Sequence, residues 1–136
     1  MKKVVKAGCY LIDVENKKVA LVYREKQKDY TFPKGHLEGS ESIKECAICE
    51  TAEETKRVAK ILDEFEPTVE RYTSSNGENC ECYMFIAKDF GASDNSSTDT
   101  HDVYWIDFEE VENKLTYDSL KNIWKLVKNK IENLFN

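Results

Sequence analysis

No run of apolar residues in this sequence is long enough to cross a bilayer, which takes about 20 in succession. The first residues, MKKVVKAGCYLIDVENKK, carry lysines and a cysteine. Lys6 interrupts their apolar run and Asp13 ends it, so neither an export signal nor a lipoprotein anchor is expected. An excess of positive charge is also missing. The net charge is -6 and the isoelectric point about 5.1, which argues against the basic footprint of non-specific nucleic-acid binding. There are no internal repeats. The five cysteines are an odd number without an export signal, so they read as reduced thiols of the cytoplasm rather than a disulfide framework.

What is present suits one globular domain spanning residues 1–136 with a single core, at 40% hydrophobic and 34% charged residues. Its most informative stretch runs from Pro33 to Arg57. Ser42 followed by Glu45 is a capping box, which starts a helix at about Ile43. Ile43 and Ala47 mark the inward face. Continuing along that face by helical steps reaches Glu50 and Glu54, with Glu53 beside them, so a stripe that should stay apolar turns into carboxylates. Repelling anions need a partner. A hard divalent cation such as Mg2+ is one, since it takes oxygen ligands from one or two carboxylates and substrate phosphates. Surface ion pairs with Lys56 and Arg57 are the other.

Elsewhere, Val4 to Ile12 and Val19 to Tyr23 read as a hairpin, and Arg24 to Asp29 as a charged loop. Strand-like pieces flank Pro67, Ser74 to Glu78 is a turn, and Cys80 to Ala87 is a central strand. Gly91 to Thr100 reads as a long polar loop. Val103 to Phe108 is a further strand and Glu109 to Lys114 a short helix. Ser119 to Phe135 is a helix with Leu120, Ile123, Trp124, Val127, Ile131 and Leu134 on its core face. Cys46 and Cys49 with Cys80 and Cys82 could make a four-thiolate zinc set, but small buried thiols are the better reading. Strands interleaved with two substantial helices predict an α/β sandwich.

Gly35, five residues, Glu41, seven residues, then Cys49-Glu50-Thr51-Ala52-Glu53-Glu54 resembles the signature of the Nudix hydrolases. These enzymes cleave nucleoside diphosphates linked to another moiety. Gly35, Glu41, Glu50, Glu53 and Glu54 match. Cys49 stands for an arginine, Lys56 for a glycine, and Thr51 and Arg57 for large aliphatics, so the motif is degenerate. Within the family, Tyr30 to Glu38, Tyr83 to Lys88, and Trp105 to Glu110 followed by Leu115 to Tyr117 are similar to the asymmetric diadenosine tetraphosphate hydrolases. The resemblance implies an α/β/α sandwich with a mixed sheet between helices, and a Mg2+-dependent pyrophosphohydrolase in which Mn2+ can substitute. A dinucleoside polyphosphate such as diadenosine tetraphosphate is the implied substrate.

It also implies roles. Glu50 and Glu54 are first-choice metal ligands with the Gly35 carbonyl, and Glu53 holds another ion or takes the proton from water. Asp99 is a loop acid, with Asp102 as fallback. Lys34 and His36 meet phosphates, while Tyr117 stacks on adenine; Tyr83 is a second substrate contact, unless the strand register places Met84 there instead. Cys49 leaves Glu41 without its usual fork-shaped partner, with Lys34 or Lys44 placed to serve it. Lys56 removes a helix stop, so the helix is free to run on towards Val58 or Ala59. A degenerate domain that binds nucleotide without efficient hydrolysis, and a hydrolase of nucleoside triphosphates, capped RNA or diphosphoinositols, are the alternatives.

Overall fold

The computed structural model describes residues 3–94 and 101–135. Strands β1 (Lys3–Asp13) and β2 (Lys18–Arg24) form the expected hairpin, pairing Ile12 with Val19 and Asp13 with Lys18. Asp13 closes its turn by accepting from the Asn16 backbone and side chain. Short strands β3 (Asp29–Thr31) and β4 (Lys34–His36) follow, then helix α1 (Ile43–Thr55) and strands β5 (Arg57–Ile61), β6 (Thr68–Thr73), β7 (Asn79–Ala92) and β8 (Asp102–Asp107). A 3-10 turn leads into α2 (Val111–Lys114), and α3 (Asp118–Glu132) closes the fold.

The strands make one eight-stranded mixed sheet. β1 lies parallel to β7, from Lys3 beside Asn79 to Ile12 beside Lys88, and the other pairings are antiparallel. The central strand, expected to end at Ala87, runs on into the expected polar loop, because β7 continues through Gly91 to Ala92, where it pairs with Arg57 of β5.

Helices cover both faces. On one, Leu120, Trp124, Val127 and Ile131 of α3 pack with Tyr10, Phe32, Met84, Ile86 and Phe108. On the other, Cys46 and Ala47 of α1 meet Ala7, Cys9, Leu11, Ala20, Phe85 and Ala87. The layers are those of the predicted α/β/α sandwich. Cys46 and Cys82 therefore lie on opposite faces of the sheet, which rules out the four-thiolate zinc set, and Cys49 is exposed rather than buried.

Candidate active site

α1 starts as the sequence predicts. Ser42 Oγ accepts the Glu45 N–H at 3.1 Å, and the Glu45 carboxylate accepts the Ser42 N–H at 2.9 Å. Its end is different. Lys56 takes the left-handed conformation, φ 59° and ψ 30°, and its N–H returns to the Ala52 carbonyl at 2.9 Å, so the helix stops without a glycine instead of running on. Left-handed backbone costs a side-chain-bearing residue about 1–2 kcal/mol. Contacts just beyond offset that cost: Arg57 pairs with Ala92 in the sheet, forks onto Asp89 at 2.9 and 2.7 Å, and donates its N–H to Thr55 Oγ1. The fork also takes Arg57 away from the ion pairs weighed for the α1 acids.

β4 brings the loop glycine onto the carboxylates. Gly35 pairs with Ala7 of β1, and a Cβ built on it would lie 1.6 Å from Glu50 Oε1 and 2.4 Å from that carboxyl carbon. Only a glycine lets the helix carboxylate lie against this backbone. Burial, reinforced by Glu53 and Glu54, pushes the Glu50 carboxyl up to about 8. Burial likewise raises Glu54 to about 7, against the opposing pull of the Lys34 N–H and the Arg24 and Lys34 charges. Glu54 Oε1 accepts that N–H at 3.0 Å, and its Oε2 lies 3.4 Å from His101 Nε2.

Clustered acids held partly out of water, next to a glycine backbone, suit a hard divalent cation. Among the described residues no group of three or more His, Cys, Asp or Glu side chains is drawn together tightly enough to hold an ion by itself.

The remaining predicted residues divide between those at this end of the sheet and those elsewhere. Lys34 lines a cavity of about 390 Å³ with Arg24, Phe32, Glu54 and His101. It also lines a second of about 480 Å³ with Lys6, Arg24, Tyr72 and Tyr117. Tyr117 is 42% exposed, so it is no core residue. His36 is exposed on β4 beside Lys6. Asp102 is exposed at the start of β8, and Asp99 lies outside the described residues. Tyr83 lies on the α1 face of β7. Its ring packs on the α1 side and its hydroxyl donates to Glu81 at 2.8 Å, while the adjacent Met84 is buried on the α3 face. The tyrosines that line the second cavity are Tyr72 and Tyr117.

Glu41 is served by neither lysine. It accepts the Glu38 N–H at 3.0 Å, while Lys44 pairs with Asp63 at 2.5 Å. Its charge also reaches both helix thiols, which are raised first by burial and then by Glu41. Cys49, at the position of the missing arginine, is exposed beside it.

Arg24, Asp29, Tyr72 and His101 were not singled out from sequence. Asp29 is fully buried, with Arg24 Nε at 2.8 Å from Oδ1, Arg24 Nη2 at 2.6 Å from Oδ2, and the Tyr117 hydroxyl donating to Oδ2 at 2.6 Å. The one signal was an arginine and an aspartate bracketing the short loop between strands.

Solved structures of similar fold include an Ap4A hydrolase binary complex from Caenorhabditis elegans, with a TM-score of 0.79 and 20% identity, covering 96% of this chain and 98% of that one. A NUDIX-family hydrolase from Clostridium perfringens aligns with a TM-score of 0.76 and 15% identity, covering 98% of this chain and 99% of that one. In sequence, the m7GpppN-mRNA hydrolase dcap-2 of Caenorhabditis elegans is 28% identical over 106 residues, 76% of this chain but only 14% of the length of that protein. The family profile described as NUDIX domain matches residues 2–127. With that match over most of its length and Glu50 of the motif set against Gly35, the chain belongs to the NUDIX family, hydrolases of nucleoside diphosphates linked to another moiety.

Proposed function

We propose that this chain is a Mg2+-dependent pyrophosphohydrolase, with Mn2+ as a substitute, that cleaves a dinucleoside polyphosphate such as diadenosine tetraphosphate. The observation that carries this reading is the pair of adjoining cavities. The one holding Glu54 and the one holding Tyr72 and Tyr117 share Arg24, Thr31 and Lys34 as a common wall. A long phosphate chain with a base at its end matches that layout.

Polyphosphate cleavage asks a protein for positioning and for relief of negative charge. Glu50, Glu53 and Glu54, with the Gly35 carbonyl, would hold the cation, which supplies charge neutralisation on the phosphoryl oxygens and acidifies water. Glu53 or Glu54 accepts the proton of the attacking water, and Glu54 is kept in place by the Lys34 N–H. Asp99 is a further acid for that work. The cationic arms of Lys34 and Arg24, and His36 from its exposed place on β4, take phosphate oxygens, and Tyr117 offers its ring to adenine with Tyr72 beside it.

The net charge of -6 favours a small nucleotide over capped RNA. The cysteines, all free, suit the cytoplasm, and among the described residues no helix is long and apolar enough to cross a membrane.

The test is a panel of diadenosine polyphosphates, nucleoside triphosphates, capped RNA and diphosphoinositols, each with Mg2+ or Mn2+, with products identified. Fastest cleavage of the dinucleoside polyphosphates is expected. Nucleotide binding without turnover of any compound would leave the non-hydrolysing binder as the function.

A further inference from the structure

Of the residues in the wall between the two cavities, Arg24 is held by a fork. Its Nε and Nη2 grip both oxygens of Asp29, at 2.8 and 2.6 Å. Asp29 is fully buried, and a buried carboxylate stripped of its cation is costly, so the guanidinium is held where it lies. The Nη1 edge stays outside that fork. The Arg24 side chain keeps 30% exposure and lines both cavities. The same Asp29 Oδ2 that takes Arg24 Nη2 also accepts the Tyr117 hydroxyl, at 2.6 Å. One buried oxygen therefore fixes both a cation facing the wall and an aromatic ring at the mouth of the second cavity.

We infer that Asp29 is a positioning residue that presents Arg24 as a polyphosphate-binding fork between the two cavities, and that through the same carboxylate it couples this fork to the Tyr117 ring. The inference rests on the proposed reading in taking the ligand to be a nucleotide polyphosphate. A planar guanidinium already locked by its inner edge loses little freedom when its outer edge meets phosphate. A lysine would supply the charge but could not engage Asp29 and phosphate with two separate edges. The shared carboxylate makes the arrangement cooperative: a change in the Tyr117 hydroxyl alters the acceptor that aligns Arg24, although that hydroxyl is not part of the stacking surface.

The experiment is calorimetric binding of β,γ-methylene ATP with Mg2+, and separately of adenosine, to the wild type, Arg24→Lys, Tyr117→Phe and the double variant, with melting temperatures alongside. Arg24→Lys is expected to weaken the analogue about tenfold and leave adenosine unchanged. Tyr117→Phe, which keeps the ring, should weaken the analogue about threefold in the wild type and much less once Arg24 is lysine. Additive losses in the double variant would overturn the coupling. An Arg24→Lys protein that melts lower but binds normally would reduce the pair to a structural one, and failure of the wild type to bind the analogue would overturn the inference entirely. Because the analogue cannot be cleaved at its terminal bridge, a protein that binds it in this pattern yet hydrolyses nothing in the substrate panel would refute the hydrolase reading and leave the fork standing.

Discussion

Against one face of the sheet α3 lays Trp124, whose ring lies 6.2, 5.7 and 5.6 Å from those of Tyr10, Phe32 and Phe108. Against the other, α1 meets Ala7, Cys9, Ala20 and Ala87 through Cys46 and Ala47. The first face buries large aromatic and aliphatic surface, the main source of stability in a domain of this size. On the second, small residues let helix and strand approach closely, until the Glu50 carboxylate rests where a Cβ of Gly35 would be. α3 shows the apolar stripe of a core helix, whereas α1 gives up much of its stripe to acids and threonines and depends on its caps and the sheet for its place. The bulk of the large-residue burial and the close approach of Glu50 to Gly35 are thus drawn from opposite sides of one sheet.

If that division is right, damage to the two faces should separate cleanly. The largest effect is expected for Trp124→Ala, which should cost about 3–5 kcal/mol of stability, read by denaturant unfolding. The fraction still folded should turn over substrate at a near-normal rate. Proportionate loss of rate per folded molecule would show that the α3 face also shapes the site.

Glu54→Gln should do the reverse. Turnover should fall at least about a hundredfold, while the melting temperature holds or rises as a buried charge is removed. A wild-type rate in single-turnover assays would return the α1 acids to a structural role.

The third expectation concerns pH. Glu50 and Glu54 ionise near the usual value, 4.5, when unfolded and at about 8 and about 7 when folded, so the folded protein binds more protons between those limits. Their contribution to stability is therefore largest near the low end and declines as pH rises through the folded values. In chelator, the gain in melting temperature from Glu50→Gln should grow between about pH 6 and pH 8, and saturating Mg2+ should shrink it. A gain independent of pH would mean that Glu50 is ionised without strain.

The smallest effect belongs to Cys49→Arg. Because Cys49 is exposed and beside Glu41, a guanidinium has room, and the new pair should add no more than about 1 kcal/mol. Turnover should rise several-fold if bracing Glu41 steadies the Gly35 turn; an unchanged rate would show that the Glu38 N–H already holds Glu41 well enough.

The sequence was most readable where a local rule decides the structure. The capping box placed the start of α1, and the α3 stripe placed Leu120, Trp124, Val127 and Ile131 in the core. It was least readable where partners come from afar. Lys56 caps a helix in a conformation its own side chain disfavours, because the sheet contacts of Arg57 outweigh the local preference. β4 is too short to show a period, yet its pairing with β1 sets Gly35 against Glu50. Asp29 looked like solvated loop charge, and only the meeting of Arg24 with Tyr117, from opposite ends of the chain, makes its burial possible. Tyr83 and Met84 are told apart by strand parity, since neighbouring residues of β7 face opposite sides, and only the β1–β7 pairing fixes which of them faces α1.

The parallel pairing of β1 with β7 carries a consequence for how the molecule is made. It joins residues as distant in the chain as Lys3 and Asn79, so the centre of the sheet cannot close until β7 has left the ribosome. Until then the β1–β2 hairpin, whose closing pairs are local, exposes a strand edge holding Cys9, Tyr10 and Leu11, and α1 has only part of its platform. Long-range closure of this kind slows folding. The carboxylate site needs β1, β4 and α1 in register, and in nascent chains truncated before Asn79, where β1 has no β7 beside it, that register should be held less firmly even when α1 is complete.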